Sequence, residues 1–381
     1  MSQTSLLKQI ESYLPELLQL LEESVNMDSP SRNKAQCDLT ADWYAAQFSR
    51  LIGGRVERIP HAIAGDRLLC VAGSGAKQIL LVGHYDTVWP SGEAQRRPFR
   101  IEDGAAYGPG VYDMKAGLLQ AIFAIKALQD TGRLPEDKRI VLLINSDEEI
   151  GSPTSREFIE SAAMQSAGAF VLEPPMEPSG ALKTARKGSG RYKLTVKGVS
   201  AHAGVNPEKG ISAIQELAHQ IQFMHKLTDY NIGTTVNVGL VHGGIGSNVV
   251  PDHAEAEIDV RIATLDEAER IEAEFASLTP SLSGAELTVT GGMMRPPMER
   301  TDAIASLYSL ARELAKAEFG LALEETATGG VSDGNFTAAA GTPTLDGLGA
   351  RGDFAHSPRE YVRIDEIPLR TALLARLIEA I

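Results

Sequence analysis

The sequence predicts an α/β catalytic domain with a largely parallel central sheet, interrupted by a smaller ferredoxin-like α+β domain. Short apolar runs at 78–83 (QILLVG), 139–145 (RIVLLIN) and 168–172 (GAFVL) are rich in Val, Ile, Leu and Ala and poor in charge. Strands covered on both faces have this composition. Between the first two runs, 113–130 places Met114, Leu118, Ile122 and Ile125 on one helical face, and strands alternating with such helices build a parallel sheet. From about residue 189 the pattern becomes β-α-β-β-α-β, the order of a small ferredoxin-like sandwich.

Taken in order, 1–26 and 36–53 read as two surface helices, the first amphipathic with leucines at helical spacing. The helix over 113–130 closes at Thr131 and Gly132, and Asp113 is a candidate N-cap. Residues 190–199 (GRYKLTVKGV) alternate as a half-buried strand. A helix over 207–228, strands over 234–242 and 252–263, a helix over 266–279 and a strand over 285–290 complete the insert. The α/β character returns with an amphipathic helix over 301–319. The expected division is a catalytic domain of 1–188 plus 299–381 and an inserted domain of 189–298; insertion at a surface loop is a common route to this arrangement.

With 381 residues the chain is long enough for two domains and a buried core. Its formal charge is -14, from 50 acidic and 36 basic residues, a field that opposes nucleic acid and anionic membranes. It does not exclude an anionic substrate, because local Arg and Lys residues can reverse the potential in a cleft. The only cysteines, Cys37 and Cys70, lack CxxC spacing, which argues against a disulfide framework or thiolate zinc site and fits a reducing compartment. No stretch reaches the roughly 18–20 apolar residues of a membrane span, and the charged N-terminal segment does not read as a signal peptide. The expected location is the cytoplasm.

The chemistry gathers at the ends of the predicted strands, where open α/β sheets bind ligands. The first strand delivers LVGHYDTVWP, with His84 and Asp86. The turn GPGVYDMKAG brings Asp113 to a helix start. The next strand ends in NSDEEIGSP, with Glu148 and Glu149 adjacent, and the third in VLEPP, with Glu173. GDFAHSP supplies His356. Imidazoles and carboxylates suit zinc and related divalent ions without sulfur. Two ions need a bridging carboxylate, for which Asp113 is the best placed. His84 and Glu173 then serve one ion and Glu149 and His356 the other. Glu148 is left as the general base, and Asp86 accepts the other His84 ring N–H to fix its tautomer. Each residue also has a plain reading: Asp113 as a helix cap, Glu148 and Glu149 as an acidic first turn, His356 as a surface group. The weight lies in their coincidence in one domain, since adjacent carboxylates repel unless cations compensate.

These residues sit in motifs that resemble the M20 metallopeptidases, the group of aminoacylase, succinyl-diaminopimelate desuccinylase and acetylornithine deacetylase, and most of all the glutamate carboxypeptidase branch. HYDTVWP, GPGVYDMKAG, DEEIGS, EP after the third strand, KGVSAHAG, GGIGSNVVPD, GGVSDGN and AHSPREYV occur in the expected order over nearly the whole chain. The resemblance implies the same five metal ligands around two divalent ions, Zn2+ first and Co2+ or Mn2+ as alternatives, with a cis Asp113–Met114 bond. It also implies that the inserted domain is a lid and dimerisation domain in a homodimer. His202 would polarise the scissile carbonyl from the partner subunit, Asn248 and Arg261 would hold a substrate carboxylate, and Gly330, with Gly329 and Gly334, would line the cleft floor. Plain readings stand beside these: Arg261 as a surface strand residue, His202 as a turn residue, and the glycines as a simple turn.

The expected reaction is release of a C-terminal amino acid, glutamate by the resemblance, from a small acylated amino acid or short peptide. Arg186 and Lys187 are candidates to meet an acidic side chain, or else solvated residues before a strand. The nearest rival is a broad or non-acidic N-acyl-amino-acid deacylase or dipeptidase. An amidinohydrolase and a non-catalytic binding protein on the same fold are more distant readings.

Overall fold

The computed structural model describes residues 5–381. The first four positions of the helix expected over 1–26 lie outside the described residues. The chain divides into two compact units, one comprising the chain up to Ala185, Arg300–Ala327 and Ser332–Ile381, the other Arg186–Glu299 and Thr328–Val331. Thr328–Val331 joins the smaller unit because Lys187 N donates to Thr328 O (2.9 Å) and the Arg186 guanidinium to the carbonyls of Gly330 (3.1 Å) and Val331 (3.2 Å).

The larger unit is built on a six-stranded sheet. Its spatial order is Arg55–Ile59, Arg67–Ala72, Lys138–Asn145, Lys77–His84, Ser166–Val171 and Thr344–Leu345. The last four run parallel, and Arg55–Ile59 and Arg67–Ala72 form an antiparallel edge. The parallel strands bury nearly every residue, Ile79 to Val82 entirely, which accounts for their unbroken apolar runs. Helices Leu6–Val25, Lys34–Ile52, Ala116–Asp130 and Ile367–Ala380 share a core with one face. Helix Arg156–Met164 packs with the other. In Ala116–Asp130, Leu118, Ile122 and Ile125 are fully buried, each contributing about 1.5–3 kcal/mol relative to exposure.

That helix does not start at Asp113. Its first residue is Ala116, preceded by an irregular turn in which Asp113 (φ -116°, ψ 94°) is non-helical and the Asp113–Met114 bond is cis. The capping reading of Asp113 is therefore corrected. Its side chain faces the cluster described below and makes no cap. A small sheet of Gly352–Asp353, Tyr361–Arg363, Ala105–Tyr107 and Arg100–Glu102 then sets the loop bearing His356 beside this turn, with Tyr361 opposite Tyr107.

The smaller unit is a four-stranded antiparallel sheet ordered Thr235–Gly243, His253–Ile262, Gly188–Lys197 and Glu286–Arg295. Helices Ala213–Lys226 and Leu265–Ala276 pack with its core. The helix expected over 207–228 starts only at Ala213. Ser212 caps it by accepting from Gln215 N, and Pro207–Lys209 is a separate single turn.

Candidate metal centre

The carboxyl ends of three neighbouring parallel strands place His84, Glu149 and Glu173, and the turn before the helix Ala116–Asp130 supplies Asp113. His84 is 1% exposed, and its Nε2 lies 3.2 Å from Asp113 Oδ1 and 3.5 Å from Glu173 Oε1. His356 Nε2 lies 3.3 Å from Asp113 Oδ2 and 3.1 Å from Glu149 Oε2. Asp113 thus offers one oxygen to each imidazole, and two groups with metal-ligating geometry share it: His84, Asp113 and Glu173, and Asp113, Glu149 and His356.

Two observations fit these groups to cations. A tetrahedral ion bonded at about 2.0–2.1 Å separates its ligand atoms by roughly 3.4 Å, close to the four distances above. Moreover His84 Nε2, Asp113 Oδ1 and Glu149 Oε1 are buried with no hydrogen-bond partner among the described residues, an arrangement that costs about 1–3 kcal/mol per group unless something else satisfies it. The electrostatics agree. Asp113 and Glu149 hold the His356 ring up to about 11. Burial lowers the His84 value, but Asp113, Asp86 and Glu173 more than offset it and leave it well above the ordinary imidazole range. Burial pushes Glu149 up to about 7, against the pull of His356. Burial also raises Asp113, yet His356 and His84 bring it below the usual carboxylate range. A cluster that holds protons this tightly on its imidazoles is a trap for positive charge.

Asp86 meets His84 through two of its oxygens. The His84 Nδ1 contact within hydrogen-bond geometry is the Asp86 main-chain carbonyl (3.0 Å), with carboxylate Oδ1 at 3.4 Å. The fully buried carboxylate also accepts from Glu148 N (3.2 Å), Glu149 N (3.2 Å) and Ser31 Oγ (2.6 Å). One residue therefore sets both the imidazole and the Glu148–Glu149 turn. Glu148 is half-buried in the single helical turn Glu148–Ile150.

Three acids that sequence reasoning left without a role brace the surroundings. Glu360 accepts backbone N–H groups of the Asp113 turn, and burial pushes it up to about 6 in spite of them. Asp147 accepts from Thr154 N (2.7 Å) and Thr154 Oγ1 (2.8 Å), and Asp333 from Asn145 and Ser152. Their signal was position alone, in AHSPREYV, NSDEE and GGVSDGN, and an isolated acid is usually solvated.

In the smaller unit, His202 is exposed in a two-residue strand opposite Val249, next to the equally exposed Asn248. His202 Nδ1 accepts from Gly204 N (3.1 Å). Asn248 lies in the loop that enters the strand at His253, whereas Arg261 stands near the other end of that strand, eight residues or roughly 27 Å from His253. The Arg261 fork is engaged by Asp259, Nε to Oδ1 at 3.0 Å and Nη2 to Oδ2 at 3.2 Å. Arg186 is buried, so its reading as a solvated residue fails, and it supports the loop carrying Gly330. Gly329 has open space where a Cβ would stand, and the nearest atoms to one at Gly330 are 3.9 Å away. Packing does not require glycine at either position. Gly334 differs, because a Cβ there would meet Asp346 Oδ2 at 2.8 Å.

A mixed α/β sheet carrying a carboxylate shared between two His–carboxylate groups, with a separate antiparallel α+β unit, is consistent with a dinuclear metal site in a hydrolase of the metallopeptidase class. Residues 80–380 match the profile of peptidase family M20/M25/M40, and the chain belongs to that family. It is a metal-dependent hydrolase of amide bonds in peptide-like substrates. The chain is 30% identical over 370 residues to carboxypeptidase G2 of Pseudomonas sp. (strain RS-16), covering 96% of this chain and 89% of that one. It is 28% identical over 333 residues to succinyl-diaminopimelate desuccinylase of Stenotrophomonas maltophilia (strain R551-3), covering 82% and 86%. In fold it is similar to aminopeptidase PepT from Bacillus cereus ATCC 10987, with a TM-score of 0.78, 24% identity and coverage of 96% and 98%.

Proposed function

We propose that this chain is a carboxypeptidase-like amidohydrolase that releases a C-terminal amino acid, glutamate by preference, from an N-acyl or peptide-like substrate. The observation that carries the reading is Asp113, whose two oxygens belong to two separate ligand groups. His84, Asp113 and Glu173 would hold one divalent ion, and Asp113, Glu149 and His356 the other. Donors of nitrogen and oxygen without sulfur favour Zn2+, with Co2+ or Mn2+ as substitutes. Two ions so held supply Lewis acidity to an amide carbonyl and make water a nucleophile near neutral pH.

Glu148 takes the proton from the attacking water and returns it to the leaving amine, which departs only once protonated. Asp86 keeps that base in register through its contact to Glu148 N. His202 donates to the developing oxyanion. Arg261 and Asn248 receive the substrate α-carboxylate, and Gly330 borders it. The bidentate Arg261–Asp259 pair supports this role for Arg261, because it displays the fork that a carboxylate requires. The length of His253–Ile262 bears on Asn248, since it sets the loop holding Asn248 and the residue Arg261 at opposite ends of one strand. We therefore assign Asn248 and His202 to a partner copy in a homodimer. Two buried free cysteines suit a cytoplasmic setting, and no helix among the described residues is long and apolar enough to cross a membrane.

Glutamate preference is supported by the motif resemblance and the similarity to carboxypeptidase G2. Hydrolysis of N-acyl-Glu, N-acyl-Leu, N-acetylornithine and a Gly-Leu dipeptide, followed by amine detection, tests it. The highest kcat/KM is expected for N-acyl-Glu, and preference for the apolar residue would end the glutamate reading.

A further inference from the structure

Glu360 lies four residues beyond His356 and is 1% exposed. Its carboxylate is surrounded by donors. Oε1 accepts from Tyr112 N (2.9 Å) and Asp113 N (3.1 Å), and Oε2 from Gly110 N (3.0 Å) and Trp89 Nε1 (3.3 Å). An ionised carboxylate offers about four lone-pair sites and no donor, so these four N–H groups match it fully. Three of them belong to the turn that presents Asp113, where the backbone is non-helical and buried N–H groups need an acceptor from elsewhere. The same residue closes the His356 loop, because Glu360 N donates to Ser357 O (3.0 Å).

We propose that Glu360 is a positioning residue for the metal centre, a clamp that fixes the turn bearing Asp113 against the loop bearing His356. Asp113 uses both oxygens, 3.2 Å from one imidazole and 3.3 Å from the other. A tilt of its turn by a few tenths of an ångström therefore disturbs both ligand groups together. The His356 side is the more sensitive. His356 is 51% exposed and sits on a loop, while His84 is sealed at the end of a central strand. Glutamine at position 360 would keep the volume but turn an NH2 group toward N–H donors, leaving at least one buried and unsatisfied. Aspartate would keep the charge and shorten the reach.

This inference rests on the two-cation reading, and the test separates the two. Unaltered protein, Glu360→Gln and Glu360→Asp are loaded with Zn2+, equilibrated against graded chelator and analysed for bound metal. The metal-free forms are melted in parallel, and Co2+-loaded forms are compared by visible absorption. The expected result is that unaltered protein binds two ions. Glu360→Gln should lose one of them at a chelator concentration at least tenfold lower and show an altered Co2+ spectrum, with Glu360→Asp intermediate. A purely structural role would lower the metal-free melting temperature and leave metal retention and the Co2+ spectrum of the folded protein unchanged. That outcome, or unaltered retention in both variants, overturns the clamp while leaving the two-cation reading intact. Unaltered protein that binds no metal overturns both. If Glu360→Gln does not fold, Glu360→Asp decides by the same comparison, with at least a threefold drop in chelator resistance expected.

Discussion

At the scale of single residues, the proposed function divides proton transfer from cation holding. Glu148→Gln would remove the proposed base and leave the five proposed ligands, so turnover should fall by roughly a hundredfold or more with two ions still bound. Nearly unchanged turnover would remove Glu148 from the chemistry. His356→Ala deletes the nitrogen of one group only, and the expected metal content drops from two ions to one, the ion of His84 and Glu173 being kept. Loss of both would show that the two positions are not separable.

At the scale of elements, Asp66 ties the helix Lys34–Ile52 to the sheet edge. Its buried carboxylate accepts from Lys34 Nζ (2.6 Å), Arg58 Nε (2.6 Å) and His61 N (3.2 Å). Burial raises its pKa, but Lys34, the His61 N–H and Arg58 outweigh this and bring it to about 2. The unfolded chain, with a value near 3.9, binds this proton more readily. The stabilisation is therefore complete above about pH 4 and lost as pH falls through about 2. Urea midpoints across that range should show a shallower acid slope for Asp66→Asn than for the unaltered protein. Equal slopes would mean that Asp66 contributes nothing to acid stability.

The same edge shows where sequence reading stops. The parallel strands Lys77–His84, Lys138–Asn145 and Ser166–Val171 were legible because burial on both faces forces apolar runs. Arg55–Ile59 is mostly exposed, with Arg55, Glu57 and Arg58 in five residues, and charges that protect an edge strand hide it from a hydrophobicity pattern. At Asp113 the sequence left a helix cap open beside the bridging ligand, because both place Asp before a helix; the helix starts only at Ala116 and Asp113 makes no cap. In the inserted unit, alternation marked the strand at 190–199, and strands at 234–242, 252–263 and 285–290 completed the four-stranded sheet. The ligand cluster was legible as residue types at strand ends. The braces Glu360, Asp147 and Asp333 were not, because their function lies in which backbone N–H groups they reach, and no local pattern encodes that.

For the whole molecule, all five candidate ligand residues belong to the larger unit and none to the smaller one. Cations that bind only the folded state stabilise it by mass action, about 2.7 kcal/mol at a hundredfold excess over Kd. Calorimetry with and without chelator should therefore move the transition of the larger unit to lower temperature, with a smaller or absent effect on any separate transition of Arg186–Glu299. A chelator effect confined to the smaller unit would contradict the ligand assignment. The dimer proposed from the separation of Asn248 and Arg261 belongs to this scale too, since it depends on copies meeting and not on either residue alone.

His84, Asp113, Glu149 and Glu173 are all translated before the smaller unit begins at Arg186, whereas His356 and Glu360 emerge only near the end of synthesis. A nascent chain on the ribosome thus acquires the donors for one cation early. It completes the second set, and the brace on Asp113, only after more than a hundred intervening residues have been made. A messenger truncated within that interval would encode a protein with half of its centre.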